Sequence, residues 1–289
     1  MLVNAENVKN LTKGVVKIFN DSFKDTPKDY EKYATVVPTK HHTVDYAWLA
    51  NFPAMKEWVN DRDLKDLTAH KYTISKKDWE ASVTVSRDDV LFDNLGFVKP
   101  RVTDLAHVAV EHYNSYIGSL ITTNGLCFDG KNYFDTKHKI GAATAVNKNN
   151  FKFTSSNLMS VYSEMLNRKN ENGKPYRIKP TLVYIAANLL ADAMKILKSD
   201  QIDGSTNTTK DLVEYVVLPE LAVGTWCMVD NSRPLKPFII QITKKAEIES
   251  DDSEMFKSKK IHYGVDTMDN AGYSFWQLAY FSDGTQKKA

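Results

Sequence analysis

The 289 residues suffice for one large domain or two small ones, and 42% hydrophobic with 26% charged residues is the balance of a well-packed globular chain. The 38 basic and 36 acidic residues leave a formal charge of +2, which excludes the strongly basic surface of a protein that grips nucleic acid along a dedicated groove. The 2 cysteines, Cys127 and Cys227, have no nearby cysteine partner for a metal knuckle or a redox pair, and so point to a reducing compartment.

From Ala5 to Phe23, Val8, Leu11, Val15, Ile18, Phe19 and Phe23 recur at helical spacing, and Pro27 follows. An amphipathic helix is expected, packed on its own domain or on a neighbouring subunit. No basic segment leads into an apolar run there, and no later stretch approaches the roughly 18 consecutive apolar residues of a membrane span. Neither export by that route nor a membrane partner is expected.

Between Tyr33 and Arg87 the pattern turns strand-like around a charged centre, NDRDLKDLTAHK. Trp79, Ala81, Val83 and Val85 alternate with polar residues, as in a strand with one buried face. The whole reads as a long two-stranded excursion, and a pair of strands alone is marginal in water. Support from another chain is therefore expected. Its apolar residues Trp48, Phe52 and Trp58 would be covered there, and the tip charges Asp61, Arg62, Asp63, Lys65 and Asp66 would meet opposite charges.

Pro100 opens a long helical pattern through Val102, Leu105, Ala109, Tyr113, Tyr116 and Leu120, with Gly125 just past its end. Helices over about 156–169 and 188–198 flank a strand at 181–185, and DGSTNTTK is a polar loop. Strands return at LVEYVVL, TWCMV, KPFIIQIT, KKIHYGV and YSFWQLAY. Helices and strands interleave without a regular alternation or an internal repeat, which makes the class α+β.

One stretch, GLCFDGKN, nearly spells a phosphate-binding loop with Asn132 in place of the hydroxyl residue. Such a loop needs a strand before it and a helix after it. Here a helix precedes, and Asp129-Gly130 between apolar residues reads as a type I′ hairpin turn. Cys127, Asp129, Asp135 and His138 lack the paired rhythm of a metal site. His41-His42, Asp88-Asp89 and Asp251-Asp252 are adjacent pairs whose side chains diverge on a strand. Nothing assembles a nucleophile, a base and an oxyanion hole. No catalytic, cofactor-binding or metal-binding residue is assigned, and the chain is not expected to be an enzyme.

The stretches DYEKYATVVPT, WLANFPAMKEW with RDLKDL after it, SRDD, LCFDGKNYFDTKH, IKPTLV, DNSRPLKPFIIQ and YGVDTMDNAGYSFWQLAY run in one order along the chain. Together they resemble the major head subunit of Mu-like tailed phages, end to end. The resemblance implies the tailed-phage major capsid protein fold of the Hong Kong 97 type. It implies an N-terminal arm at 1–43, an extended loop at 44–86, and a peripheral domain at 87–126 with the long helix as its spine. An axial domain follows at 127–235, and the return strands of the peripheral domain at 236–289.

The function it implies is a shell of pentamers and hexamers around double-stranded DNA, held nonspecifically. The shell would be built in the bacterial host cytoplasm and found in the virion, with a scaffolding protein, a portal and a maturation protease as further partners. No coiled-coil extension precedes the arm, so scaffolding would fall to a separate protein, unless a protease has already trimmed a precursor. A cellular nanocompartment of the same fold is the alternative, and an unrecognised enzyme a distant third.

Overall fold

The computed structural model describes residues 5–46, 72–86, 88, 95–140, 143–169 and 173–286. The first helix, α1 (Ala5–Asp25), is followed by a short α2 (Asp29–Tyr33) and strand β1 (Thr35–Pro38). Two short strands, β2 (Thr43–Asp45) and β3 (Thr73–Ser75), pair with each other, and β4 (Lys77–Ser86) follows at once. The long helix α3 (Leu95–Thr123) begins before Pro100 instead of at it. One missing N–H removes a single intrahelical bond, a loss that a helix of this length tolerates.

Beyond α3 lie β5 (His138–Ile140), β6 (Ala143–Ala145), β7 (Lys148–Asn149) and α4 (Ser155–Leu166), whose first turn is capped by the Thr154 hydroxyl accepting from Asn157 N–H. Strand β8 (Leu182–Ile185), α5 (Leu190–Lys198), β9 (Gln201–Ile202), β10 (Ser205–Thr206), β11 (Glu214–Val217) and β12 (Trp226–Val229) come next. The chain then makes a hairpin of two 14-residue strands, β13 (Phe238–Asp251) and β14 (Lys260–Tyr273), with the one-turn helix α6 (Met255–Ser258) at its tip. The expected strand YSFWQLAY is broken by a 3-10 turn, Trp276–Leu278, before β15 (Ala279–Ser282). The turn is where the chain leaves one sheet for the other.

Of the two larger sheets, one has the order β1-β13-β14-β4 and the other the order β11-β8-β12-β15-β7, while β2-β3, β5-β6 and β9-β10 form separate two-stranded pairs. The alternation at Ala81, Val83 and Val85 holds, but the partner of β4 is β14, from Lys260↔Ser86 to Asp269↔Lys77. The expected two-stranded excursion is therefore corrected in its described part, because β4 is the edge of a four-stranded sheet backed by α3.

Strands β8 and β12 are buried along their whole length, which is why both read as unbroken apolar runs. Val183, Ile185, Trp226 and Met228 face a core with Leu158, Val161 and Met165 of α4 and Ala193, Ile196 and Leu197 of α5. Leu182, Tyr184, Cys227 and Val229 face a second core with Tyr113, Ile117 and Ile121 of α3 and with Phe238 and Ile240 of β13. The first half of α3 packs through Val98, Val102, Leu105, Ala106 and Ala109 against Val15 and Phe19 of α1 and against Val85, Ile261, Tyr263 and Val265 of the long sheet. The α1 helix thus lies on its own chain, as the first of the two readings expected. One helix serves two cores, so the long hairpin and the mixed sheet are tied to a common spine.

Candidate assembly surface

Trp48, Phe52, Trp58, Asp61, Arg62, Asp63, Lys65 and Asp66 all lie outside the described residues, within 47–71. The two points where the chain enters and leaves that segment are described, and both are fixed. Tyr46 is buried, and its hydroxyl donates to Gln241 Oε1 at 3.1 Å. Burial pushes its phenol up to about 12. Tyr46 N–H donates to Tyr72 O at 2.7 Å, and below that contact β2 and β3 pair through Asp45↔Thr73, Val44↔Ile74 and Thr43↔Ser75. Thr73 Oγ1 donates to Asp45 Oδ1 at 2.6 Å.

This small ribbon leans on β14. Tyr72 Oη accepts from Tyr273 N–H at 2.8 Å, Asn270 Nδ2 donates to Ser75 O at 2.6 Å, and the Ile74 side chain lies over Gly272. Two strands alone are marginal in water, but here Tyr46 and Ile74 belong to the core and Val44 and Tyr72 pack against it. The β2–β3 ribbon therefore has support from its own chain, where the expectation was support from another chain.

The GLCFDGKN stretch is a helix exit followed by a tight turn. Gly125 N–H donates to Tyr273 Oη at 2.7 Å, Cys127 N–H to Lys131 O at 2.7 Å, and Gly130 N–H to Cys127 O at 3.1 Å. Gly130 has φ +73 while Asp129 is not left-handed, so the expected type I′ turn is corrected to a turn closed by a left-handed glycine. The hairpin brings no helix N-terminus to Lys131, which is exposed.

No three of the four side chains weighed as metal ligands come together. Cys127 Sγ lies 3.7 Å from Ser274 O, and burial pushes its thiol well above the ordinary range. Asp135 Oδ1 accepts from Lys137 N–H at 2.9 Å. Asp129 and His138 do meet: Oδ2 is 2.6 Å from Nδ1, while Nε2 is 3.2 Å from Tyr133 O and the imidazole stacks on Trp276 at 4.1 Å and 8°. Both ring nitrogens face acceptors, and the pair serves as a brace across the hairpin. Among the described residues, no group of three or more His, Cys, Asp or Glu side chains could hold a metal ion.

Burial alone would raise the Asp129 carboxyl, but the hydrogen bond and charge of His138 outweigh it and hold the group below its ordinary value. A depressed folded value means stability that is complete above about pH 4 and lost as the pH falls through the folded value. Asp129→Asn should cost about 1–3 kcal/mol at neutral pH, and the gap from wild type should close below pH 4. Thermal unfolding of both proteins across that range is the measurement; a gap unchanged in acid would contradict the pairing.

With the fold and these contacts in view, comparison with known proteins is decisive. The model of the family described as Mu-like prophage major head subunit gpT matches residues 8–155, 145–221 and 222–289. The chain belongs to that family. Similar relatives are the Mu-like prophage FluMu major head subunit of Haemophilus influenzae, 29% identical over 98% of this chain and 75% of the relative, and the major capsid protein of Escherichia phage Mu, 28% identical over 96% and 74%. Among solved structures, a chain of the bacteriophage JBD30 procapsid has a TM-score of 0.62 and 27% identity, covering 99% of this chain and 77% of that one. A virus-like particle from Pyrococcus furiosus shares the fold alone, with a TM-score of 0.59 at 10% identity over 93% and 98%. The α+β architecture is thus the tailed-phage capsid fold of the Hong Kong 97 type, and the chain is a major capsid protein of the Mu-like kind.

In this Mu-like head subunit two buried polar knots join the long helix and the sheets, and neither has a local signal in the sequence. At the spine, Asp269 of β14 accepts from Tyr116 Oη at 2.5 Å, lies 3.0 Å from His112 Nε2, and has Thr267 Oγ1 2.7 Å from its other oxygen. Burial first, and the Asp269 hydrogen bond second, push the Tyr116 phenol far up. Tyr113 Oη lies 2.7 Å from Thr267 Oγ1, and the Trp79 ring of β4 sits 4.8 Å from the His112 ring.

At the mixed sheet, the buried Arg168 guanidinium donates to Gln277 O at 2.5 Å, Ala279 O at 3.2 Å and Val146 O at 3.2 Å. Its Cζ lies 5.7 Å from the centre of the Trp276 ring and 5.4 Å from the centre of the Tyr280 ring. Burial pulls it down to about 10.

Proposed function

We propose that this chain assembles into pentamers and hexamers that close an icosahedral head shell around double-stranded DNA, with residues 47–71 as the strut between subunits. The observation that carries the reading is the family match from residue 8 to residue 289. Assembly in the host cytoplasm ends in the virion, with a portal, a scaffolding protein and a maturation protease as separate partners. The shell acts as a container and not as a catalyst. DNA contact is weak and nonspecific, because a chain with a formal charge of +2 releases few counterions.

The reading divides the chain into an arm at 1–43, an extended loop at 44–86, a peripheral domain at 87–126 and 236–289, and an axial domain at 127–235. In the loop, Trp48, Phe52 and Trp58 supply buried area against a neighbouring copy. Asp61, Arg62, Asp63, Lys65 and Asp66 set register and encounter rate.

Electron microscopy of the purified protein tests the whole reading: closed particles, or rings of five and six subunits, are expected. Particles filled with an enzyme would favour a nanocompartment, and a monomer at every concentration and salt would remove the proposal. Trp58→Ala should weaken the assembled lattice by about 2 kcal/mol or more per contact, while Arg62→Glu should mainly slow assembly. Normal particle yield from both variants would take the strut away from this segment.

A further inference from the structure

The formal charge of +2 conceals an uneven distribution. Residues 136–191 hold 9 lysines and arginines against 2 acids, Glu164 and Glu171, so acids outnumber bases over the rest of the chain. Part of that excess gathers at the end of the mixed sheet where β8 begins and β12 ends. Tyr176 N–H donates to Arg168 O at 2.8 Å and Lys169 bridges to Pro175, which brings the chain leaving α4 beside the segment that leads into β8. In that segment Tyr176, Ile178 and Pro180 are buried while Arg177 and Lys179 are exposed, and Lys169 is exposed across the hairpin. Buried neighbours set this arrangement. Arg233 Nη2 donates to Tyr176 O at 2.7 Å and to Arg177 O at 3.0 Å, where Arg177 holds the left-handed region at φ 55, uncommon for a residue other than glycine. Asp230 is fully buried and anchors both sides: its Oδ2 accepts from Lys179 N–H at 3.0 Å and Arg233 Nε at 3.3 Å, and its Oδ1 from Ser232 N–H at 2.9 Å and Ser232 Oγ at 2.6 Å. That acid is thus engaged inside the fold. Among the described residues, Lys169, Arg177 and Lys179 make no ion pair.

We infer that this hairpin is where the subunit holds the phosphate backbone of packaged DNA, through Lys169, Arg177 and Lys179. The inference rests on the shell reading. Three exposed cations on a backbone fixed by hydrogen bonds suit a polyanion, and double-stranded DNA is the polyanion that the shell reading supplies. An acidic protein surface is the competing occupant. Protein interfaces, however, are anchored by aromatic and apolar side chains and depleted in lysine, and over 173–180 both large apolar side chains, Tyr176 and Ile178, are buried. Phosphate contact needs only donors and charge. A contact made by three side chains is also weak and salt-labile, in keeping with the small formal charge of the chain.

The test is the binding of a fluorescent DNA duplex of mixed sequence to purified subunits, read by anisotropy across a salt series. Lys169→Gln with Arg177→Gln and Lys179→Gln should weaken binding at low salt and flatten the plot of log affinity against log salt by nearly 3, at about 0.9 for each phosphate released. Each single substitution should flatten it by about 1. The control is Lys13→Gln with Lys17→Gln and Lys24→Gln, which removes the same charge from the exposed side of α1 and should leave the slope near that of wild type. Thermal unfolding of the free subunits checks that the hairpin variant keeps its fold. Wild-type subunits that bind no duplex at low salt, or a control that loses as much as the hairpin variant, would overturn the site. So would a hairpin variant that binds the duplex normally but builds no shells, which would assign the hairpin to an acidic surface of a protein. Wild-type shells in the electron microscope would leave the shell reading standing in each case.

Discussion

Replacing Arg168 with methionine should destabilise the free subunit by about 3–5 kcal/mol, one of the largest effects of any single side chain away from the apolar cores. The guanidinium satisfies the carbonyls of Val146, Gln277 and Ala279 at once. Methionine keeps the volume and the contact with Trp276 and Tyr280 but offers no donor, and each buried carbonyl left unpaired costs about 1–3 kcal/mol. The substitution also strands Glu164, whose carboxyl is raised by burial and drawn back partly by the Arg168 charge. Glu164 should therefore titrate higher in the variant. Chemical denaturation of the unassembled subunit gives the stability, and a loss below about 1 kcal/mol would mean that water replaces the guanidinium without penalty.

The elements that were legible in the sequence are those whose periodicity comes from a core on the same chain. The α1 pattern is one apolar stripe, and among its described side chains Val15 and Phe19 are buried. Strands β8 and β12 show as apolar runs because both faces are covered. Where the outcome depended on a distant partner, the sequence was silent or misleading. The alternation of β4 says that one face is buried but not that β14 lies beside it. Nothing near Asp129 and His138 announces Trp276, and nothing near Tyr116 announces Asp269. The loop foot was underestimated for the same reason, since its support comes from Gln241, Gly272 and Tyr273, far along the chain.

Gly272→Val should uncouple folding from assembly. A Cβ at position 272 would lie 2.6 Å from both Ile74 Cδ1 and Tyr72 Oη, so a valine enters only if these two side chains, which dock the strand β3 on β14, give way. Overpacking of this kind costs about 1–3 kcal/mol, which leaves the three cores standing. The displacement falls on Tyr72 and its hydrogen bond from Tyr273 N–H, where the chain leaves the proposed strut. Particle yield should fall far more than the thermal stability of the free subunit. A double-mutant cycle separates this from general damage. Ile74→Ala alone should cost about 2–5 kcal/mol by opening a cavity, and Gly272→Ala alone should strain the same contact. Together the new methyl occupies part of the space the isoleucine vacated, so the double variant should lose less than the sum by about 1 kcal/mol. Strict additivity would mean that the foot does not rest on Gly272, and normal particles from Gly272→Val would mean that its position is not what the shell reads.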